Sequence, residues 1–116
     1  MPRLLKSERL KRSKEFKAVF QQCRKCEDGQ LALYVQFKED ATLRKFGVSL
    51  SRALGKAHLR NRLKRRLREI YRVEKDKFRK GHQVILVPRR GSVDRSFDEL
   101  RKSFLALAVR SGLLPG

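Results

Sequence analysis

From Leu31 to Lys38 the chain alternates between apolar and more polar positions. Leu31, Leu33, Val35 and Phe37 fall on one side; Ala32, Tyr34, Gln36 and Lys38 fall on the other. A period of two predicts a strand with one buried face and one polar-leaning face, and Tyr34 lies on the second. After a polar loop over 39–44 the pattern repeats, with Phe46, Val48 and Leu50 opposed by Gly47, Ser49 and Ser51. The two segments are expected to pair as an antiparallel hairpin. The small residues Gly47, Ser49 and Ser51 on the second face leave room for something to lie there. Val84 to Val87 is an unbroken apolar run stopped by Pro88, the pattern of a strand buried on both faces. An additional short strand fits near 23–27, before the Asp28-Gly29 turn signal.

Other segments follow the helical period. Phe16, Val19 and Phe20 share one face of a predicted helix over 14–22, with Ser13 as its cap and Glu15 in its first turn. Leu59, Leu63, Leu67 and Ile70 recur at spacings of four, four and three, which predicts an amphipathic helix from about residue 57 to about 76. Ser96 and Glu99 make a capping box for a last helix. Its stripe is Phe97, Leu100, Phe104, Leu107 and Ala108, and Gly112 ends it. The order is helix, strand, strand, helix, strand, helix. No internal repeat, low-complexity block or interdomain linker interrupts it.

Charge changes the picture of the middle helix. The segment RNRLKRRLR, Arg60 to Arg68, carries six cations and no acid. A solvated helix face normally mixes signs, and like charges at helical spacing repel. A packed helix that keeps them fixes its cations in space, as a surface for an external polyanion does. The whole chain agrees: 116 residues hold 31 Lys plus Arg against 12 Asp plus Glu, a formal charge of +19. With a pI near 11.1, nucleic acid is the leading partner class. A membrane partner is not expected, because no run approaches the roughly 18 apolar residues of a spanning helix and no lipidation motif occurs. The first residues lack the apolar centre of a signal peptide, so a cytoplasmic location is expected. The length suits a single domain spanning 1–116. Residues 1–12, with Pro2, Arg3, Lys6, Arg9, Lys11 and Arg12, read as a basic mobile arm, either laid on phosphates or simply solvated.

Candidate catalytic chemistry is thin. Cys23 and Cys26 form a lone C-x-x-C in a loop region, without a second ligand pair, and are expected to be reduced thiols in a reducing compartment. Asp94, Asp98 and Glu99 are the nearest approach to a carboxylate cluster, and helix capping explains them better than metal binding. His58 and His82 have no nucleophile or acid that the sequence places beside them. No catalytic and no metal-ligating residue is expected in this chain.

The stretch RNRLKRRLRE, preceded by Gly55-Lys56-Ala57, resembles the signature of the protein subunit of bacterial ribonuclease P. The likeness extends along the chain: RLKRSKEFKAVF resembles that family's first helix, LALYVQF its strand, FGVSLSRALGKA its strand and loop, and VILVPR its last strand. The resemblance implies an α+β fold, a compact two-layer sandwich of helices on a small, mainly antiparallel sheet, with a left-handed βαβ crossover carrying the basic helix. It implies a protein cofactor that binds a catalytic RNA and the single-stranded 5′ leader of precursor tRNA, one protein per RNA. In that scheme Mg²⁺ is held mainly by the RNA, which performs the hydrolysis. Residue by residue, Arg60, Asn61, Arg62, Lys64, Arg65 and Arg68 match the family's motif for contacting the catalytic RNA, and Arg52, Lys56 and Ala57 match its lead-in. Phe16, Phe20 and Tyr34 match the aromatic positions of the leader cleft. The two thiols have no counterpart in the pattern.

Physical chemistry weighs these assignments separately. Arg presents a planar fork to phosphate oxygens. Asn61 can contact a sugar hydroxyl or base edge, or only orient its neighbours. Aromatic stacking holds single strands, yet Phe at helical spacing is ordinarily core. Three rival readings remain at this level: a generic or ribosomal RNA-binding module, a DNA-binding regulator, and a protein-only nuclease. The regulator would call for a helix-turn-helix or a zipper, and neither pattern occurs.

Overall fold

The computed structural model describes residues 6–115. Its elements are α1 (Ser13–Gln21), β1 (Arg24–Glu27), β2 (Leu31–Phe37), β3 (Arg44–Val48), α2 (Ala57–Glu74), β4 (His82–Pro88) and α3 (Phe97–Ser111), with 3-10 turns at Lys6–Glu8, Arg52–Leu54, Lys75–Lys77 and Arg90–Ser92. The sheet order is β1-β2-β4-β3. β1 and β4 run antiparallel to β2, and β3 runs parallel to β4. The sheet is therefore mixed and mainly antiparallel.

The expected β2–β3 hairpin does not form. β4 lies between the two strands, pairing with β2 from Leu31–Pro88 to Phe37–His82 and with β3 from Arg44–His82 to Val48–Leu86. The reason is burial. Val84, Ile85 and Leu86 are wholly enclosed, and only a central strand, covered on both faces, can bury such a run. Strand β3 and β4 are then parallel neighbours and need a long crossover between them. That crossover is α2.

Leu31, Leu33, Val35, Phe46, Val48, Val84 and Leu86 pack with Leu63, Leu67, Ile70 and Tyr71 of α2 and Leu100, Phe104 and Leu107 of α3 in one core. The two-layer expectation describes this side of the sheet. On the other side α1 adds a partial layer, where Val19 packs with Leu10 and Ile85, joined by Phe16, Tyr34, Cys23 and Val87. The polar-leaning face of β2 is thus half covered. Ala32 is buried there, and Gln83 Nε2 donates to Gln36 Oε1 at 2.8 Å.

Local signals mostly behave as their chemistry predicts. Glu99 N–H donates to Ser96 Oγ at 3.1 Å, and Ser96 N–H donates to Glu99 Oε1 at 3.2 Å. Gly112 takes the left-handed conformation, φ 82°, that ends α3. Asp28 accepts at Oδ1 from the N–H groups of Gln30 and Leu31, both at 2.8 Å, and so closes the β1–β2 turn. Two expectations need correcting. Ser13 is the first residue of α1 rather than its cap, and Arg12 stands at the cap position. Glu15 closes that end by accepting from the Arg12 N–H at 3.2 Å, so its carboxyl is held below the ordinary range. Phe97 is 39 % exposed, because the capping box places it in the first turn, outside the stripe that begins at Leu100.

The basic arm is shorter than 1–12. Residues 1–5 lie outside the described residues. Arg9 bridges in parallel to Phe46, and Leu10 N–H donates to Phe46 O at 2.9 Å, leaving Leu10 only 5 % exposed. Glu8 is buried against Lys75, whose Nζ lies 2.8 Å from Glu8 Oε1. An apolar side chain and a buried ion pair dock this segment on the edge of β3.

Candidate nucleic-acid interface

The helix α2 is cationic for a reason of packing. Leu63, Leu67 and Ile70 are buried, so the residues between them turn outward. Asn61, Arg62 and Arg65 are exposed; Arg60, Lys64 and Arg68 are half-buried along the flank. Arg52 is exposed in the preceding 3-10 turn, and exposed Lys56 occupies the N-cap position of α2. That helix start has no side-chain cap and no acid in its first turn, so the dipole adds positive potential to the same end.

Acids are not spread evenly beneath this charge. Beyond Glu69 the cations of α2 and its extension are paired: Arg72 with Glu69, Lys77 with Glu74, and Lys75 with Glu8; Arg101 of α3 reaches Glu74 as well. Among the described residues, no cation from Arg52 to Arg68 has an ion-pair partner. Arg66 is set apart from the others, since its Nη1 donates to Arg95 O at 3.1 Å and ties α2 to the start of α3.

Three hollows run across this region. One of about 420 Å³ is lined by His58, Asn61, Lys64, Arg65 and Arg68. A second, about 460 Å³, lies over the flank of α2 and is lined by Arg9, Leu10, Lys11, Phe16, Val48, Lys64 and Arg68. The third, about 380 Å³, continues along α1 past Lys11, Ser13, Phe16, Lys17, Phe20, Val48 and Ser49. Lys64 and Arg68 belong to the first two; Lys11, Phe16 and Val48 belong to the last two. The hollows therefore join into one path from the basic helix to the aromatic residues.

Arg9 is the member that sequence reasoning missed. It reads there as part of a loose arm, and only the bridge to Phe46 carries it to Lys64 and Arg68. Its Nε is buried with no hydrogen-bond partner. Burial pushes the Lys64 ammonium below its ordinary pKa, and the charges of Arg68 and Arg9 push it further. Arg68 is lowered by burial and by Arg9 in the same way. Half-buried like charges without a counter-ion raise the free energy of the folded chain, and an anion placed among them would relieve that.

The aromatic residues have three different settings. Phe16 lies against Gly47 of β3; a Cβ at position 47 would meet Phe16 Cζ at 2.6 Å. The room left by that glycine is filled by the protein's own ring. Phe20 is 39 % exposed and meets Tyr34 edge-on, with centroids 4.8 Å apart and planes at 87°. Lys25 Nζ stands 5.6 Å from the Tyr34 centroid. Phe16 and Phe20 share the third hollow; Tyr34 does not line it, but meets Phe20 edge-on and packs with Phe16 against the same apolar cluster.

The remaining candidates separate from this region. Cys23 packs with the α1-side cluster, and Cys26 packs against the core on the opposite side of the sheet. Facing opposite ways, the two thiols do not make a shared ligand pair. Burial also pushes the Cys23 thiol up, away from thiolate chemistry. His82 is buried, with Nε2 2.7 Å from Tyr71 Oη and Nδ1 2.8 Å from Arg79 O. It is a satisfied core residue. Among the described residues no His, Cys, Asp and Glu group could hold a metal ion, and no helix is long and apolar enough to cross a membrane.

Fold and surface together define a class: an α+β scaffold that displays an ordered cationic surface, without ion-pair partners among the described residues, beside an aromatic cleft. Comparison with known proteins makes this specific. A family model described as Ribonuclease P matches residues 4–111. The ribonuclease P protein component of Bacillus cereus (strain B4264) is 32 % identical over 108 residues, covering 93 % of this chain and 94 % of that one. That of Clostridium botulinum (strain Okra / Type B1) is 29 % identical over 110 residues, covering 94 % and 98 %. The RNase P protein from Thermotoga maritima superposes with a TM-score of 0.79 at 28 % identity, covering 89 % of this chain and 96 % of that one. The Staphylococcus aureus RNase P protein gives 0.85 at 23 % identity, covering 94 % and 99 %, a likeness of fold. The chain belongs to the ribonuclease P protein family, as a protein component of that ribonucleoprotein.

Proposed function

We propose that this chain binds the catalytic RNA of ribonuclease P through Arg52, Lys56, Arg60, Asn61, Arg62, Lys64, Arg65 and Arg68. In the same reading Phe16, Phe20 and Tyr34 hold the single-stranded 5′ leader of precursor tRNA. The carrying observation is the segregation of ion pairs: acids neutralise the C-terminal half of α2 and, among the described residues, leave the 52–68 cations without ion-pair partners. Unpaired, fixed arginines match phosphate oxygens two at a time. The cleft beside them offers the exposed ring of Phe20 and the ammonium groups of Lys11 and Lys17, the combination that single strands require.

The chain supplies placement and charge, not bond cleavage. Its described residues offer no carboxylate cluster to hold the metal of a phosphodiester hydrolysis; in this proposal the Mg²⁺ ions belong to the RNA, and the RNA performs the hydrolysis. Neutralising phosphates where two RNAs meet lowers the Mg²⁺ needed to bring them together. One protein serves one RNA, in the cytoplasm.

The test is leader removal from precursor tRNA at low Mg²⁺ by catalytic RNA with and without the protein. Cleavage that requires both is the expected result. Cleavage by the protein alone would indicate a protein-only nuclease, and no effect of the protein would refute the cofactor reading.

A further inference from the structure

A fourth hollow lies beyond the aromatic pair and has no role in the reading above. It is a notch of about 410 Å³ at the open end of β1. The β1–β2 ladder stops at the Arg24–Val35 pair, so among the described residues the side of β2 facing away from β4 has no strand partner at Gln36 and Phe37. Arg24, Lys38 and Arg79 line the gap around Gln36 and Phe37, and no acid does. Arg79 lies over Phe37, its guanidinium carbon 4.1 Å from the ring centroid. None of the three cations has an ion-pair partner among the described residues. Arg24 is braced from behind, donating to Ser111 O at 3.4 Å.

The position matters as much as the charge. Along α1, Phe16 borders the hollow of Arg9, Lys64 and Arg68; Phe20 is one turn further on; Gln22 and Cys23, just after the helix, line the notch. Tyr34 and Gln36 are two residues apart on one strand, roughly 7 Å. The notch therefore starts where the Phe20–Tyr34 pair ends and straddles the open edge of the sheet. Gln36 and Lys38 lie on the Tyr34 face by strand alternation. Phe37, packed against the main core, carries Arg79 on the α3 face, where Arg24 reaches Ser111.

We propose that this notch is a second subsite for the leader, taking the phosphates of nucleotides farther from the cleavage point than those on the aromatic pair. Arg24, Lys38 and Arg79 hold the backbone, and the Arg79–Phe37 stack offers a flat surface to one base. A strand that enters beside Lys64 and Arg68 and crosses Phe20 and Tyr34 leaves by turning over the open edge of β2 through this gap. The inference rests on the leader-cleft reading and extends it to long leaders.

The experiment uses the assembled ribonucleoprotein and precursor tRNAs with leaders of about four and about ten nucleotides, within the span of known single-strand sites. Affinity is measured for the unchanged protein, for Lys38→Gln/Arg79→Gln and for Lys38→Glu. The last alters one exposed side chain, so it serves where the double variant melts early. The unchanged protein is expected to gain affinity from the longer leader. Both variants are expected to lose about three- to ten-fold on the long leader and under about two-fold on the short one, with the salt slope of the double variant smaller by about 1.4 on the long leader only, as two lost contacts to a single strand require. Equal losses on both leaders, no loss on either, or no gain from length in the unchanged protein would overturn the subsite. Tyr34→Ala on the short leader separates the two levels. A loss there without a notch effect refutes the notch alone; no loss there refutes the cleft beneath it.

Discussion

Tyr34 marks how far one residue can be understood from its neighbours. Strand alternation puts it off the main core, and the structure puts Phe20 against it edge-on and Lys25 near its face. Stacking on an aromatic ring is worth about 1–3 kcal/mol per base. Tyr34→Ala is therefore expected to weaken precursor tRNA binding by about that amount and leave mature tRNA binding unchanged in a side-by-side titration. Equal weakening of both would place Tyr34 outside the leader path. His82 gives a prediction of a different kind. Burial, with the nearby Arg44 charge, lowers its pKa, while hydrogen bonding to Arg79 O and the charge of Glu8 oppose the shift without reversing it. The unfolded chain then binds the proton more readily than the folded one. Stability due to the neutral imidazole is complete above the unfolded value near 6.5 and is lost as the pH falls below it. One proton limits the slope to about 1.4 kcal/mol per pH unit. The melting temperature should fall between pH 7 and pH 5.5, and His82→Gln should flatten that fall; an identical slope in the variant would remove His82 as its source.

Among the elements, α2 has two halves with different work. Leu63, Leu67, Ile70 and Tyr71 seat it on the core. Among the described residues, acids then neutralise the part after Glu69 and none of the part before it. If Arg65 and Arg68 each contact one phosphate, replacing both with Ala should lower the log–log salt slope of catalytic-RNA binding by about two. Filter binding across a salt series measures this directly, and an unchanged slope would contradict those contacts. The sheet teaches a complementary lesson. β2 and β3 each carry a correct strand pattern, and adjacency in the chain suggested a hairpin. Period-two patterning reports which face of a strand is buried, not which strand lies beside it. The apolar run of β4 required the centre, and the competition for that place separated β2 from β3.

For the molecule as a whole, the formal charge of +19 identifies a class of partner and leaves its location open. Distribution supplies the location. Arg9 comes from the N-terminal segment, Lys64 and Arg68 from α2, Lys11 and Lys17 from around α1, and the fold gathers them along one joined set of hollows. Glu8 and Lys75, 67 positions apart in the chain, hold the N-terminal segment against the end of α2. By itself, the sequence determined the helices and strands, their buried stripes, the cationic side of α2 and the family. Those depend on local period, capping chemistry and motif, all of which are written in neighbouring residues. Tertiary structure alone decided the strand order, the docking of Arg9, the opposed faces of Cys23 and Cys26, and the basic notch beyond Tyr34. Each depends on which distant segments exclude water together, and burial is a property of the assembled chain rather than of any stretch within it.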